Sequence, residues 1–224
     1  MSMSIIINPL MFGTEFTYSV IVIVLCLMIY FGTREIYNLS KHEGIGYFRN
    51  AFLFLTLANL FRFIALITIM LYLEALESHI IIPLKEINPI GLLVTGYLSL
   101  MAILYLTFSV IHKKIEIKNF TLWANVFAIT LSIISLFTGS HQILVMAEGV
   151  LLIIGLSLGY KIKSKNKRQS NIFALYMMIV FFWILSFLSA GPKRILSYQI
   201  IMVSDLLSVV VFSIIYLKIR KWLK

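Results

Sequence analysis

The chain has 224 residues, of which 61% are hydrophobic and 12% are charged, and its formal net charge is +10. Charged residues make up about 25% of a typical soluble domain, and a single water-surrounded core could not bury this much apolar surface. The composition therefore excludes an ordinary soluble domain and predicts a protein whose solvent is lipid.

Seven apolar segments follow one another along the chain, each with about the 20 residues that a helix needs to cross about 30 Å of hydrocarbon. The segments are uniformly apolar and do not alternate, which favours helices over barrel strands. The sequence thus predicts an all-α, polytopic bundle of seven transmembrane helices in one domain, with no soluble domain. The predicted spans are 16–37, 47–73, 90–111, 120–137, 142–160, 172–189 and 196–217.

The lysines and arginines at the ends of the spans and between them predict the orientation of the bundle. They alternate along the chain between a basic side and a side with few basic residues. The fifteen on the basic side are Arg34, Lys41, Arg49, Lys113, Lys114, Lys118, Lys161, Lys163, Lys165, Lys167, Arg168, Lys218, Arg220, Lys221 and Lys224. The other side has Lys85, Lys193 and Arg194. Since basic loops stay in the cytoplasm, we expect a multi-pass protein of the cell membrane with its N-terminus outside and its C-terminus cytoplasmic.

One connection, KIKSKNKR at residues 161–168, is especially basic. Its charges are Lys161, Lys163, Lys165, Lys167 and Arg168. Basic clusters at the cytoplasmic surface are attracted to anionic headgroups. We therefore expect this turn to face the lipid bilayer and bind anionic lipid, and we expect no nucleic-acid partner.

Three ionisable residues, Arg62, Glu148 and Asp205, lie inside predicted spans and away from the basic ends of those spans. A charge near the middle of a bilayer costs about 2.5–3.5 kcal/mol on insertion scales, so we expect these residues to face the bundle interior, in its outer half. Helical side chains lean toward their own N-terminus, which moves Arg62 toward the cytoplasm and both acids toward the exterior. Asp205, with Ser208 on its inner side, is the favoured partner of Arg62, and a contact with Glu148 stays open.

Further polar side chains are expected near Arg62, Glu148 and Asp205 in the bundle interior. Thr56 and Asn59 share the Arg62 face of the second predicted helix, because the three are spaced three residues apart. The further candidates, on later helices, are Asn125, Tyr198, Ser204 and Ser208. One interpretation is an outward-facing pocket or an ion or proton path. The other is a set of polar side chains that hold helices together.

Motifs for catalysis and metal binding are missing from the sequence. The four histidines show no HxxxH or HExxH spacing, and no GxSxG motif or glycine-rich phosphate loop occurs. We therefore predict no catalytic residues, no metal and no cofactor, and we favour a non-enzymatic protein. The pattern GLSLG, with Gly155 and Gly159, favours close helix packing inside the bundle over dimerisation.

Residues 33–63, TREIYNLSKHEGIGYFRNAFLFLTLANLFRF, form an aromatic-rich hairpin that contains an arginine. This stretch resembles the first hairpin of the heptahelical membrane modules of archaeal sensor proteins. In those proteins the bundle precedes cytoplasmic signalling domains. The resemblance implies a seven-helix sensory or transducing module, and because this chain ends shortly after the seventh segment, it implies a separate cytoplasmic signalling protein as partner.

Two functions follow as hypotheses. The first is a sensor-like or receptor-like module, in which a small ligand, ion or proton enters from outside and alters the Arg62, Glu148 and Asp205 network. The second is a small-solute or ion- or proton-coupled transporter or channel, in which Glu148 or Asp205 binds the coupling cation. The small transporters with three-one-three repeats have similar length, but their Pro-Gln signature is absent here.

Overall fold

The computed structural model describes residues 9–77, 84–112, 118–138, 141–162, 167–190 and 198–223. Within these ranges the chain forms seven helices, and the predicted all-α fold is confirmed. They are α1 (Pro9–Ser40), α2 (Glu43–Glu77), α3 (Leu84–Ile111), α4 (Phe120–Thr138), α5 (His141–Ile162), α6 (Lys167–Ala190) and α7 (Tyr198–Leu223). Six of them are long and apolar enough to cross a membrane, and the described apolar stretch of α6 runs from Ala174 to Leu185.

Helices α1 and α2 extend past the predicted spans 16–37 and 47–73. With 35 residues, α2 is longer than about 30 Å of hydrocarbon requires at about 1.5 Å per residue. Only Lys41 and His42 separate the two helices. Lys41 has a positive φ of 47°, and the His42 carbonyl accepts the Ile45 N–H at 2.9 Å. The chain therefore reverses within two residues and still pairs backbone groups at the start of α2.

Neighbouring helices in the chain run antiparallel. Phe16, near the start of α1, packs against Phe63, in the second half of α2, with ring centroids 4.8 Å apart. We call the end of the bundle where α1, α3, α5 and α7 finish the basic end, and the end where they begin the opposite end. The basic residues at the basic end whose side chains are described are Arg34, Lys41, Arg49, Lys118, Lys218, Arg220 and Lys221.

Helix α3 is the centre of the bundle. It packs against α2, α4, α5 and α6, and its span is the most deeply buried of the six. Around it, α1 lies between α2 and α7, and α6 packs on α7. Among the described residues, no Cα atom of α2 comes within 8 Å of α5 or α7. The position of α3 therefore decides which polar residues can meet.

Helix α4 shows why lipid is the solvent of this bundle. Its buried residues recur every three or four positions: Phe120, Ala124, Ala128, Ser132 and Ser135. Its outer face is also apolar, with Leu122, Phe127 and Ile133 among the exposed side chains. A surface helix of a soluble protein has a polar outer face. A helix that is apolar on both faces instead fits a hydrocarbon surrounding.

Gly155 of α5 lies where three helices meet. A Cβ atom there would be 2.8 Å from Cζ of Tyr176 on α6 and 3.0 Å from Oγ1 of Thr107 on α3. The Tyr176 hydroxyl lies over this position, 3.4 Å from the carbonyl oxygen of Leu152 and 3.4 Å from Thr107 Oγ1. The predicted internal packing role is therefore confirmed for Gly155.

Gly155→Ala should destabilise the bundle, because the new methyl group overlaps a fully buried tyrosine. Overpacking of this kind costs about 1–3 kcal/mol. The single cysteine, Cys26, is completely buried, so the rate at which a thiol-reactive dye labels it on heating reports unfolding in detergent. We expect a lower unfolding midpoint for Gly155→Ala.

Gly149→Ala, in the same helix, is the matched control, because no atom lies within 4 Å of its added Cβ. Its midpoint should equal or exceed that of the wild type, since alanine favours helix. Equal midpoints for Gly155→Ala and Gly149→Ala would contradict the packing role of Gly155.

Candidate functional site

Arg62 does not meet either acid. It is half-buried in the second half of α2, whose neighbours are α1 and α3. Asp205 lies on α7 and Glu148 on α5, and no described Cα atom of either helix comes within 8 Å of α2. The contact between α2 and α7 is made elsewhere, where the rings of Phe52 and Phe212 meet edge-on at 6.2 Å. No hydrogen bond or ion pair joins Arg62 to Asp205 or Glu148 in the described part of the chain. The three charges thus occupy separate places, and the favoured contact between Arg62 and Asp205 is not present.

Glu148 is held between α5 and α3. The Ser99 hydroxyl donates a hydrogen bond to its Oε1. The two helices approach closely one turn away, where a Cβ on Gly96 would lie 2.5 Å from Cδ1 of Leu144. Gly96 shares a face of α3 with Ser99, and Leu144 shares a face of α5 with Glu148. The glycine therefore lets α5 come near enough to place the carboxyl against the serine.

Asp205 is buried on the inner face of α7, between Ser204 and Ser208. The Ser204 hydroxyl donates to the carbonyl oxygen of Leu185 on α6 at 2.7 Å, which joins the two helices. The Ser208 hydroxyl donates to the Ser204 carbonyl at 2.8 Å, within α7 itself. The backbone neighbours of α7 are α1 and α6, and the Phe212 ring of α7 also meets the Phe52 ring of α2 at 6.2 Å. Asp205 therefore belongs to the interface of α7 with α1 and α6, away from Arg62.

The structure adds a buried acid that sequence reasoning missed. Glu15 of α1 is only 6% exposed, and its carbonyl oxygen accepts the buried hydroxyl of Ser19 at 2.9 Å. The predicted span began at residue 16, which left Glu15 outside. The helix begins at Pro9 instead, so Glu15 joins the inward stripe that continues through Tyr18 and Val22. The recurrence of apolar residues every three or four positions was the signal that could have found it.

The polar candidates on α2 and α4 differ in what they bind. On α2, Thr56 donates to the Phe52 carbonyl at 2.7 Å and Asn59 to the Leu55 carbonyl at 2.8 Å, both within the helix. On α4, Asn125 accepts a hydrogen bond from the Tyr97 hydroxyl of α3 at 2.5 Å. Asn125 therefore holds two helices together, whereas Thr56 and Asn59 do not.

Several predicted residues lie outside the described side chains. Tyr198 is the first residue of α7, and nothing of its side chain is described. The same holds for Lys161, at the end of α5, and for Lys167 and Arg168, at the start of α6. Lys163 and Lys165 lie between these helices and outside the described residues. The lipid contact of this turn stays a prediction.

The basic end contains an aromatic cluster, which we define as Tyr47, Tyr105, Phe108 and Phe120. Phe108 of α3 stacks on Phe120 of α4 with ring centroids 3.8 Å apart, and Tyr47 of α2 meets the Phe108 ring edge-on at 4.8 Å. Beside the cluster, the rings of His42 and His112 lie 5.1 Å apart. Three helices and the turn before α2 are therefore joined here by rings. Among the described residues, no three His, Cys, Asp or Glu side chains group as metal ligands would.

The fold and these sites define a multi-pass helical protein of membrane type. No protein-family model and no solved structure matches the chain. A similar protein comes from Archaeoglobus fulgidus: it is 28% identical over 186 residues, which cover 80% of this chain and 80% of the relative. The relative is described as an uncharacterized protein, so its name assigns no ligand or activity.

Ser204→Ala should weaken the bundle, because it removes a hydrogen bond between α7 and α6. Such interhelical bonds contribute about 0.6 kcal/mol on average in membrane proteins. Unfolding by added ionic detergent, followed through dye labelling of Cys26, measures the change in the free energy of unfolding.

Ser213→Ala is the control, because the Ser213 hydroxyl donates to the Val209 carbonyl of its own helix at 2.9 Å. We expect a smaller loss for this variant. If Ser213→Ala lowers the free energy of unfolding as much as Ser204→Ala does, the hydrogen bond to Leu185 does not stabilise the contact between α6 and α7.

Proposed function

We propose that this protein is a sensor-like or receptor-like membrane module, with seven spans, an external N-terminus and a cytoplasmic C-terminus. The observation that carries the proposal is the position of α3. Near its middle, Ser99 donates a hydrogen bond to Glu148 of α5. Near its end, Phe108 enters the aromatic cluster, and His112 follows directly after the helix. One central helix therefore contacts a half-buried acid and also reaches the basic end.

A change at Glu148 has a direct route to the other end of the bundle. Its carboxyl makes no ion pair with any described residue, so a proton, cation or small ligand that binds it alters the bond to Ser99. Ser99 and His112 are 13 residues apart, which is about 20 Å along a helix. A helix shifts over such a length as a unit, and the rings packed on Phe108 shift with it. A ligand that binds the two arrangements of α3 differently thus changes the basic end.

The basic end is where a signal would leave the bundle. Its lysines and arginines attract anionic lipid headgroups and would also meet an acidic surface on a cytoplasmic signalling protein. The resemblance of residues 33–63 to sensory modules supports the same reading. Their first hairpin would correspond to α1, the two-residue turn and α2. The turn supplies His42 and α2 supplies Tyr47 to the basic end.

A small-solute or ion- or proton-coupled transporter or channel is the second candidate. Three buried or half-buried acids, Glu15, Glu148 and Asp205, lie in the half of the bundle near the opposite end, and acids inside membranes often carry protons or cations. Many secondary transporters bind their substrate at broken helices. Helices α1–α7 are continuous over their described lengths, which favours the sensor.

A fluorophore at the basic end tests the sensor. Lys118→Cys places a thiol on an exposed residue just before α4, while Cys26 stays buried. On acidification of the external solution of proteoliposomes, we expect the emission of this probe to change. Glu148→Gln should abolish the change, because the amide carries no titratable proton.

Glu35→Gln, which alters an exposed carboxyl of α1, is the matched control and should respond as the wild type does. A probe that stays silent while proteoliposomes show Glu148-dependent solute or proton flux would favour the transporter. A probe that responds equally in Glu148→Gln would remove Glu148 from either function.

Cysteine labelling tests the orientation. Ser40→Cys lies at the basic end and Thr138→Cys at the opposite end, and both positions are exposed. A membrane-impermeant maleimide applied to intact cells should label the thiol at position 138 and reach position 40 only after permeabilisation. The reverse pattern would contradict the external N-terminus.

A further inference from the structure

Arg49 of α2 has unusual surroundings for a charged side chain at the basic end. Its guanidinium carbon lies 5.3 Å from the ring centroid of Tyr30 and 5.0 Å from that of Tyr37, both on α1. Its Nε atom is buried and has no hydrogen-bond partner among the described residues. No ion pair to Arg49 is present there either. The ring faces stabilise the positive charge, but they supply no hydrogen-bond acceptor.

The local sequence of both helices builds this arrangement. Tyr30, Arg34 and Tyr37 are spaced four and three residues apart, so they share one face of α1. Gly46 lies three residues before Arg49 on α2, and a Cβ there would be 2.9 Å from Cε2 of Tyr37. The missing side chain therefore leaves room for the Tyr37 ring to lie beside the guanidinium. The exposed Arg34 adds a second positive charge on the same face.

We propose that Arg49, between Tyr30 and Tyr37, binds a phosphate group, and that the phosphate belongs to a phospholipid headgroup. A guanidinium presents a planar set of donors that matches two phosphate oxygens at once, and its stacking on rings orients that set. Nε itself is buried, so the two Nη atoms, neither of which is among the buried unpartnered atoms, are the donors that phosphate oxygens would accept from. Arg34 attracts the same anion.

The position of the site identifies a lipid as the source. Arg49 lies six residues after Glu43, the first residue of α2, or about 9 Å along the helix. An arginine side chain placed there reaches the headgroup layer. The ring of Phe31, which is 56% exposed, packs edge-on against Tyr30 with centroids 5.2 Å apart. An apolar, outward-facing side chain next to a phosphate site fits the acyl chain of the same lipid. This inference is independent of the proposed sensing role.

Native mass spectrometry of the full chain in detergent tests the proposal. Phosphatidylglycerol is titrated against the wild type and against Arg49→Gln, with a phosphate-free galactolipid in a parallel titration. We expect one phosphatidylglycerol site to weaken by about tenfold in Arg49→Gln, as expected for the loss of a charge-assisted bond. Galactolipid binding should not change.

Two further variants separate geometry from charge. Gly46→Ala keeps every charge but pushes the Tyr37 ring away from the guanidinium, so it should weaken the same site. Arg220→Gln, an exposed arginine in the last turn of α7, is the matched control and should bind as the wild type does. Slow dye labelling of Cys26 shows that a variant is folded. If Arg49→Gln does not fold, Gly46→Ala and Arg49→Lys replace it in the lipid titration.

Inorganic phosphate, titrated alone and in competition, distinguishes the source. Binding of phosphatidylglycerol that depends on Arg49 and resists inorganic phosphate supports a lipid headgroup. Binding of inorganic phosphate that depends on Arg49, with full displacement of the lipid, supports a phosphate site but assigns it to a soluble anion. Lipid binding that is unchanged in Arg49→Gln, or is equally reduced in Arg220→Gln, overturns the proposal.

Discussion

Hydrocarbon offers no hydrogen-bond partner to a peptide group, and the rest of this structure depends on that constraint. Every backbone donor and acceptor inside a bilayer has to be paired within the protein, which for a single uniformly apolar segment means a helix. The same constraint acts on side chains. Thr56 and Ser208 donate to carbonyls of their own helices, whereas Ser204 and Tyr97 donate to neighbouring helices. The hydroxyls that make hydrogen bonds in the described part of the bundle thus either bond to their own helix or join two helices.

Helix α3 concentrates the second kind of contact. Through Tyr97, Ser99 and Thr107 it reaches α4, α5 and α6 in turn. The helix also packs on α2 along its length. A helix bonded to so many partners cannot move without changing their packing, because close-packed interiors transmit displacement. A displacement of α3 at Glu148 would therefore also displace the aromatic cluster, and this holds for a sensor and for a transporter.

Apart from the half-buried Arg62, the described acids and cations inside the bundle lie in different halves. Near the opposite end, Glu15 and Asp205 are buried in α1 and α7, two helices that pack together. Near the basic end, cations remain near water or, like Arg49, lie against tyrosine rings. The desolvation cost of a charge explains the contrast: acids can be protonated inside a bilayer, while an arginine stays charged and has to reach the interface or a polarizable ring.

The sequence by itself determined the helical class, because long uniformly apolar segments leave no other backbone structure in lipid. It also located Glu148, Asp205 and Ser204 as inward-facing polar residues. Only the tertiary structure decided which of them meet. Arg62 and Asp205 are both expected in the outer half of the bundle, but depth says nothing about neighbours around the bundle, and α1 packs against both of their helices. Glu15 lay outside the predicted span because hydropathy locates the apolar part of a helix. The helix itself begins earlier, at Pro9. The pairing of Arg49 with Tyr30 and Tyr37 depends on the two-residue turn after Ser40, which sets the register of α1 against α2. The sequence of either helix alone does not determine that register.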